Sequence, residues 1–208
     1  MSSVPLEFSE TKLTRLAADW IAGAIGEDAI AIDATVGNGY DTLFLAHVVG
    51  PSGHVIGFDV QKAALKNASE LLRFTGMIDR VRLVLGCHSG IEDYLRNGRP
   101  VQAAMFNLGY LPRGDRSIVT RAPTTLAAID GLLRHLSTFG RVTILAYRGH
   151  VGGPEEYEEV KRYLDSARNL LVREVASQFD SETTPRLFLL EKRNAENVGN
   201  EEGVRGEK

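Results

Sequence analysis

Apolar residues in this chain follow two rhythms. Short, nearly continuous runs at Ala29 to Asp33, His54 to Asp59, Val81 to Leu85, Ala103 to Leu108 and Val142 to Ala146 lack in-out alternation. That is the pattern of parallel strands buried on both faces. Between them, apolar positions recur at helical spacing, as in Leu65, Leu71 and Leu72 or Ile129, Leu132, Leu133 and Leu136. The helical intervals are Glu10 to Ala24, Thr42 to Val48, Gln61 to Phe74, Ile91 to Arg96, Thr124 to Leu136 and Pro154 to Ser166. Pro154 suits a first helical turn, and Glu155 and Glu156 complement the positive end of that helix. Leu170 to Phe179 and Arg186 to Glu191 then follow with only a turn containing Thr184-Pro185 between them, which predicts an antiparallel hairpin. The expected fold is α/β: a mostly parallel seven-stranded sheet, helices on both faces, closed by a C-terminal hairpin. One domain spans 1–193, and the glycine- and charge-rich stretch 194–208 is expected to be disordered.

Composition narrows the function classes. With 208 residues, 43% hydrophobic and 25% charged, the chain suits one globular domain with a sizeable core. A net charge of -3 provides no global basic field, so any nucleic-acid contact must come from a local patch. The single cysteine, Cys87, excludes an internal disulfide framework and a structural zinc cluster, and no metal is expected. Neither a basic-then-apolar leader nor a membrane-length apolar run is visible, so a cytoplasmic location without membrane contact is expected.

In an open α/β sheet, ligands bind beyond the carboxyl ends of the strands. The first strand ends in Asp33-Ala34-Thr35-Val36-Gly37-Asn38-Gly39 and continues to Asp41-Thr42. Gly37 and Gly39 let the backbone turn tightly and approach a ligand, and Asn38 between them tolerates a left-handed conformation. Asp41 stands where a dinucleotide fingerprint has its third glycine, and an acid at a helix N-terminus repels a pyrophosphate. S-adenosyl-L-methionine carries no phosphate but has an ammonium and a sulfonium, which suit Asp33 and Asp41. Asp59, about twenty residues after Gly39, is placed to accept both ribose hydroxyls, with Gln61 beside the ribose or adenine. His88 and Ser89 end the third strand, where adenine contacts are expected. A tight structural turn, with Asp59 capping the next helix and His88 buried for structure, fits the same pattern.

The fourth strand ends in Asn107-Leu108-Gly109-Tyr110-Leu111-Pro112, followed by Arg113-Gly114-Asp115. An Asn carbonyl can accept a hydrogen bond from an amine and aim its lone pair at a sulfonium methyl. Tyr110 can stack on a planar ring. An aliphatic amine acceptor is largely protonated at neutral pH and must lose a proton, for which His150 and Asp115 are the candidates. Arg113, Arg116 and Arg121, with Arg148 on an adjacent loop, form a candidate phosphate patch, and Tyr110 or Tyr147 could stack on an unpaired base. A loop shaped by Asn107 and Pro112, with solvated arginines and an idle His150, remains the alternative.

These blocks, together with Phe58-Asp59-Val60-Gln61 and Gly149-His150-Val151-Gly152-Gly153, resemble the signature segments of the bacterial rRNA-methylase-like family. The resemblance covers roughly residues 10 to 192, and its most specific run is Asn107 to Asp115. It implies a Rossmann-like class I methyltransferase fold and S-adenosyl-L-methionine as cofactor. It also implies a primary amine as acceptor: the 5-aminomethyl group of a (2-thio)uridine at the wobble position, in the anticodon loop of tRNA. The site residues it implies are Asp33, Thr35, Gly37, Asn38, Gly39, Asp41, Thr42, Asp59, Gln61, His88, Ser89 and Asn107 for the cofactor. Gly109, Leu111, Pro112, Arg113, Arg116, Tyr147 and Arg148 fall to the substrate, and Asn107, Tyr110, Asp115 and His150 to catalysis. The chain departs from the family at Arg113, often glycine there, at Tyr147-Arg148, where Tyr-His is common, and at Glu182-Thr183-Thr184-Pro185. Methylation of rRNA or of a small-molecule amine stays open, as does a non-catalytic cofactor- or RNA-binding module. So does a homodimer.

Overall fold

In a computed structural model, the described residues are 12–96, 98–176 and 181–194. Five αβ units come first: α1 (Lys12–Ala22), β1 (Ile30–Asp33), α2 (Tyr40–Val48), β2 (His54–Asp59), α3 (Lys62–Phe74), β3 (Val81–Leu85), α4 (Ile91–Leu95), β4 (Val101–Leu108), α5 (Ala122–His135) and β5 (Leu136–Ala146). Then come α6 (Gly153–Ser166), β6 (Leu170–Ala176) and β7 (Arg186–Lys192). The seven strands form one sheet in the order β3-β2-β1-β4-β5-β7-β6. The first five are parallel; β7 runs antiparallel to both β5 and β6. This is the architecture expected from the apolar runs. The expected helix start at Glu10, strand end at 177–179 and disordered stretch at 195–208 lie outside the described residues.

Each central strand feeds two cores. On β4, Val101, Ala104, Phe106 and Leu108 pack with α4, α5 and α6, whereas Ala103 and Met105 face α1, α2 and α3. All six are nearly inaccessible to solvent, which is why the run shows no polar alternation. β5 starts six residues earlier than the apolar run suggested. Its register jumps from Val101↔Leu136 to Ala103↔Arg141, so residues 137–140 loop out, with Phe139 at φ 64°. That irregularity hid the start of the strand.

The sheet order reverses between β1 and β4, and the carboxyl ends of these two strands carry the conspicuous motifs. A crossover to β2 on one side and to β5 on the other leaves a crevice there. Among the described residues, no helix is long and apolar enough to cross a membrane, and no group of three His, Cys, Asp or Glu side chains is placed to hold a metal.

Candidate active site

The turn after β1 is built on carboxylates. Asp33 is fully buried and accepts the Thr35 N–H (3.0 Å) on one oxygen and the Thr42 hydroxyl (2.5 Å) on the other. It thus ties the strand end to the first turn of α2. Burial, and then the nearby Asp41 charge, push its carboxyl up to about 7, against the pull of the Thr42 and Thr35 bonds. Asp33 therefore braces the turn from behind and does not present its oxygens at the crevice. Gly37 and Gly39 hold φ 52° and 86°, and Asn38 is not left-handed; its amide oxygen instead accepts from Asn67 (3.1 Å). A Cβ on Gly39 would lie 2.7 Å from Ala68, so this glycine also lets α2 approach α3.

Asp59, at the end of β2, faces this turn. Its Oδ2 accepts the Gly37 N–H (2.9 Å) and its Oδ1 accepts the Gln61 N–H (2.8 Å). Burial raises its pKa, opposed by the backbone bonds from Gln61, Gly37 and Val60. Each oxygen keeps a second lone pair, so a half-buried carboxylate already clasped to the glycine turn can still receive a diol. The left-handed glycine backbone, the adjacent Asp59 and a rim free of pyrophosphate-binding glycines together fit S-adenosyl-L-methionine.

His88 and Ser89 lie in the 3-10 turn after β3. The His88 Nδ1–H donates to the Ala34 carbonyl (3.2 Å), the ring is 7% exposed, and burial lowers its pKa. It props the β1 turn from inside through Nδ1, and its Nε2 is buried without a hydrogen-bond partner among the described residues. Ser89 is half-buried.

The β4 end joins this turn. The Asn107 N–H donates to the Thr35 hydroxyl (2.7 Å), and its side-chain Nδ2 donates to Asp41 Oδ2 (2.5 Å). Asp41 is raised in pKa by burial, with the Asn107 bond opposing. Because a carboxylate only accepts, the amide's NH2 end must face Asp41, leaving its carbonyl oxygen as the acceptor for something else.

Beyond Asn107, Gly109 is packed against Tyr147 and His150. Tyr147 is partly exposed, and burial, then the Asp41 charge, raise its phenol pKa. Tyr110 meets His150 edge-on with 5.9 Å between ring centres, and the Arg116 guanidinium lies 5.5 Å over the Tyr110 ring. The His150 Nδ1–H donates to the Val151 carbonyl (3.1 Å); its Nε2 is buried without a hydrogen-bond partner among the described residues, beside Gly109 and Gly153.

Several expected residues stand elsewhere. Asp115 is exposed, and its Oδ1 takes the Ser117 N–H (2.8 Å) and hydroxyl (2.7 Å), which hold its pKa below the usual carboxylate range. It closes a turn and is a poor proton acceptor. Leu111 is buried against Gly37 and Gly114, so it packs the loop instead of meeting a substrate. Arg148 folds away from the crevice, donating to the Thr184 (2.8 Å) and Ser181 (2.6 Å) carbonyls and covering Tyr157 at 5.0 Å. Pro112 and Arg113 are exposed, and Arg113 adopts φ 65°.

One residue escaped the sequence reading. Glu156, noted there only as a helix-dipole complement, is 2% exposed and accepts the Thr120 and Thr125 hydroxyls, each at 2.6 Å. The signal was available: with Tyr157, Val160 and Leu164 it sits on the apolar stripe of α6.

Residues 55–191 match the family model described as "Putative rRNA methylase". A chloroplastic tRNA (mnm(5)s(2)U34)-methyltransferase of Arabidopsis thaliana is 37% identical over 164 residues, 75% of this chain and 60% of that protein. The chain thus spans about three fifths of that relative's length. A Clostridium thermocellum crystal structure of the same description as the family superposes with a TM-score of 0.83 at 37% identity, covering 89% of this chain and 100% of that one. A Streptococcus mutans structure in complex with S-adenosylhomocysteine has a TM-score of 0.78 at 34% identity, covering 88% and 99%. The chain belongs to this rRNA methylase family, and its domain is a class I, S-adenosyl-L-methionine-dependent methyltransferase.

Proposed function

We propose that this domain N-methylates a primary amine, the 5-aminomethyl group of the (2-thio)uridine at the wobble position of tRNA. The observation that carries it is the Asn107 side chain: Asp41 holds its NH2 end, which turns its carbonyl oxygen into an oriented acceptor at the end of β4. An acceptor at that point selects a donor-bearing nucleophile, as an amine is. The tRNA target is supported by the name and 37% identity of the plant relative.

The cofactor, when bound, supplies an electrophilic methyl on sulfonium. The chain's own residues orient, exclude water and manage a proton. Asn107 directs one amine N–H so that the nitrogen lone pair points along the line of displacement, where proximity accounts for most of the rate. The ammonium form has no lone pair, so a proton must leave before the N–C bond forms. His150 takes it in this reading, since its Nε2 lone pair has no partner among the described residues and lies against Gly109 at the strand end. Tyr110, with Arg116 over its ring, is the stacking surface for the uracil. The expected target is an anticodon loop.

Labelled cofactor incubated with tRNA from cells lacking the gene is expected to mark a single wobble nucleoside. Label appearing in rRNA or free amines and absent from tRNA would overturn the acceptor assignment.

A further inference from the structure

The loop that carries Tyr110, residues 110–119, leaves β4 and returns to α5 through a narrow stem. Tyr110 pairs with Val119 across it, and the Thr120 N–H donates to the Gly109 carbonyl (2.9 Å). Directly behind this stem stands Glu156, in the first turn of α6. One of its oxygens takes the Thr120 hydroxyl at the loop exit, and the other takes that of Thr125 in the first turn of α5. A single carboxylate therefore joins three chain segments.

The same turn of α6 also carries the His150 loop. The Gly153 N–H donates to the His150 carbonyl (3.0 Å), the Glu156 N–H donates to the Gly152 carbonyl (3.0 Å), and a Cβ on Gly153 would stand 3.0 Å from His150 Nε2. Thr120 is thus linked forward to Gly109 by its backbone and backward to the His150 loop through Glu156. Gly109 and His150 meet at the far side of this ring of contacts, where a Cβ on Gly109 would lie 3.7 Å from Nε2.

Burying a carboxylate is costly, and apolar side chains could pack α5 on α6 without that cost. What its two oxygens add is a pair of short, directional bonds that fix distance. We propose that Glu156 is a positioning residue for the acceptor side, stapling the stem of the 110–119 loop so that Gly109 and Tyr110 are held against His150. This deepens the acceptor reading above and rests on it for the name of that edge alone.

The test compares Glu156→Ala, Glu156→Gln and Thr120→Val in the full chain. Three quantities are read: hydrogen–deuterium exchange of 109–121, calorimetric affinity for S-adenosylhomocysteine, and kcat/KM for tRNA. Glu156→Ala is expected to speed exchange in the loop and to lower kcat/KM by about tenfold or more, with cofactor affinity within about twofold. Thr120→Val, which deletes one hydroxyl at nearly constant shape, is expected to do the same to a smaller degree. Glu156→Gln keeps an oxygen acceptor and can donate to the second threonine, so it is expected to restore both readouts. The proposal is overturned if loop exchange is unchanged in Glu156→Ala. It is equally overturned if cofactor affinity falls as far as kcat/KM, or if Glu156→Gln is as damaged as Glu156→Ala. Should Glu156→Ala fail to fold, the same criteria apply to Thr120→Val. If the wild-type chain methylates no tRNA, the acceptor reading fails while loop exchange still decides the role of Glu156.

Discussion

The two halves of the crevice are held together differently. On the cofactor side, Asp33 and Asp59 bond to backbone N–H groups two residues on, and Asp59 reaches across to Gly37 on the neighbouring strand end. On the acceptor side the decisive ties are between side chains far apart in sequence: Asn107 with Asp41, Thr120 with Glu156, Tyr110 with His150. The first half is set by strand ends that the parallel sheet must bring together. The second depends on two loops and on which way their side chains turn, so substitutions in the two halves should separate cofactor binding from transfer.

The sharpest way to break this division is Asn107→Ala. It removes the oriented carbonyl and is expected to lower turnover by about 10²–10³ while leaving S-adenosylhomocysteine affinity nearly unchanged. Next is Asp59→Ala, expected to weaken S-adenosylhomocysteine by about a hundredfold if the carboxylate's remaining lone pairs receive the ribose diol. Calorimetry on both variants is the check. Equal loss of cofactor affinity in the two would show that Asn107 belongs to the cofactor half.

The sequence made one half far more legible than the other. Continuous apolar runs reveal strands, and strand ends reveal where ligands lie, so Asp33, Gly37, Gly39 and Asp59 could be named before any fold was in view. What the residue types could not show is direction. Asp33 reads as a ligand contact but faces inward to Thr42, and His88 reads as an adenine contact while its Nδ1 is held by the Ala34 carbonyl. Arg148 shares the active edge in sequence, yet its guanidinium turns to the Ser181 and Thr184 carbonyls. Asp115 and Arg116 are neighbours, but one closes its own turn and the other covers Tyr110. Glu156 was hidden because an acid in a first helical turn ordinarily faces solvent.

The most deeply buried carboxylate of the cofactor half, Asp33, makes stability depend on pH. A native Asp33 pKa of about 7, above the ordinary 3.8, means that the folded protein holds a proton which the unfolded chain has released across that interval. The native state binds more protons there, so stability falls as pH rises from about 4 to about 7. Asp33→Asn cannot ionise and retains an acceptor for the Thr35 N–H, while the Thr42 hydroxyl can accept from the new amide. Its unfolding free energy is expected to lack this decline, a difference on the order of 2 kcal/mol between pH 5 and pH 8. Denaturant midpoints at the two values measure it. A wild-type curve as flat as the variant's would mean that the buried acid is relieved by something other than protonation.

The smallest expected effect concerns Arg113, at the exposed tip of the acceptor loop. A left-handed backbone costs a side-chain-bearing residue about 1 kcal/mol, and at φ 65° Arg113 bears that strain without burial to offset it. Glycine is free of it. Arg113→Gly is therefore expected to raise Tm by about 2–4 °C, the shift corresponding to 1 kcal/mol in a domain of this size. If the arginine is kept for a phosphate, the same variant should bind tRNA more weakly, and the slope of log affinity against log salt should shrink by about one. A gain in Tm with an unchanged salt slope would remove Arg113 from the acceptor side. It would leave Arg116, placed over Tyr110, as that loop's candidate for a phosphate contact.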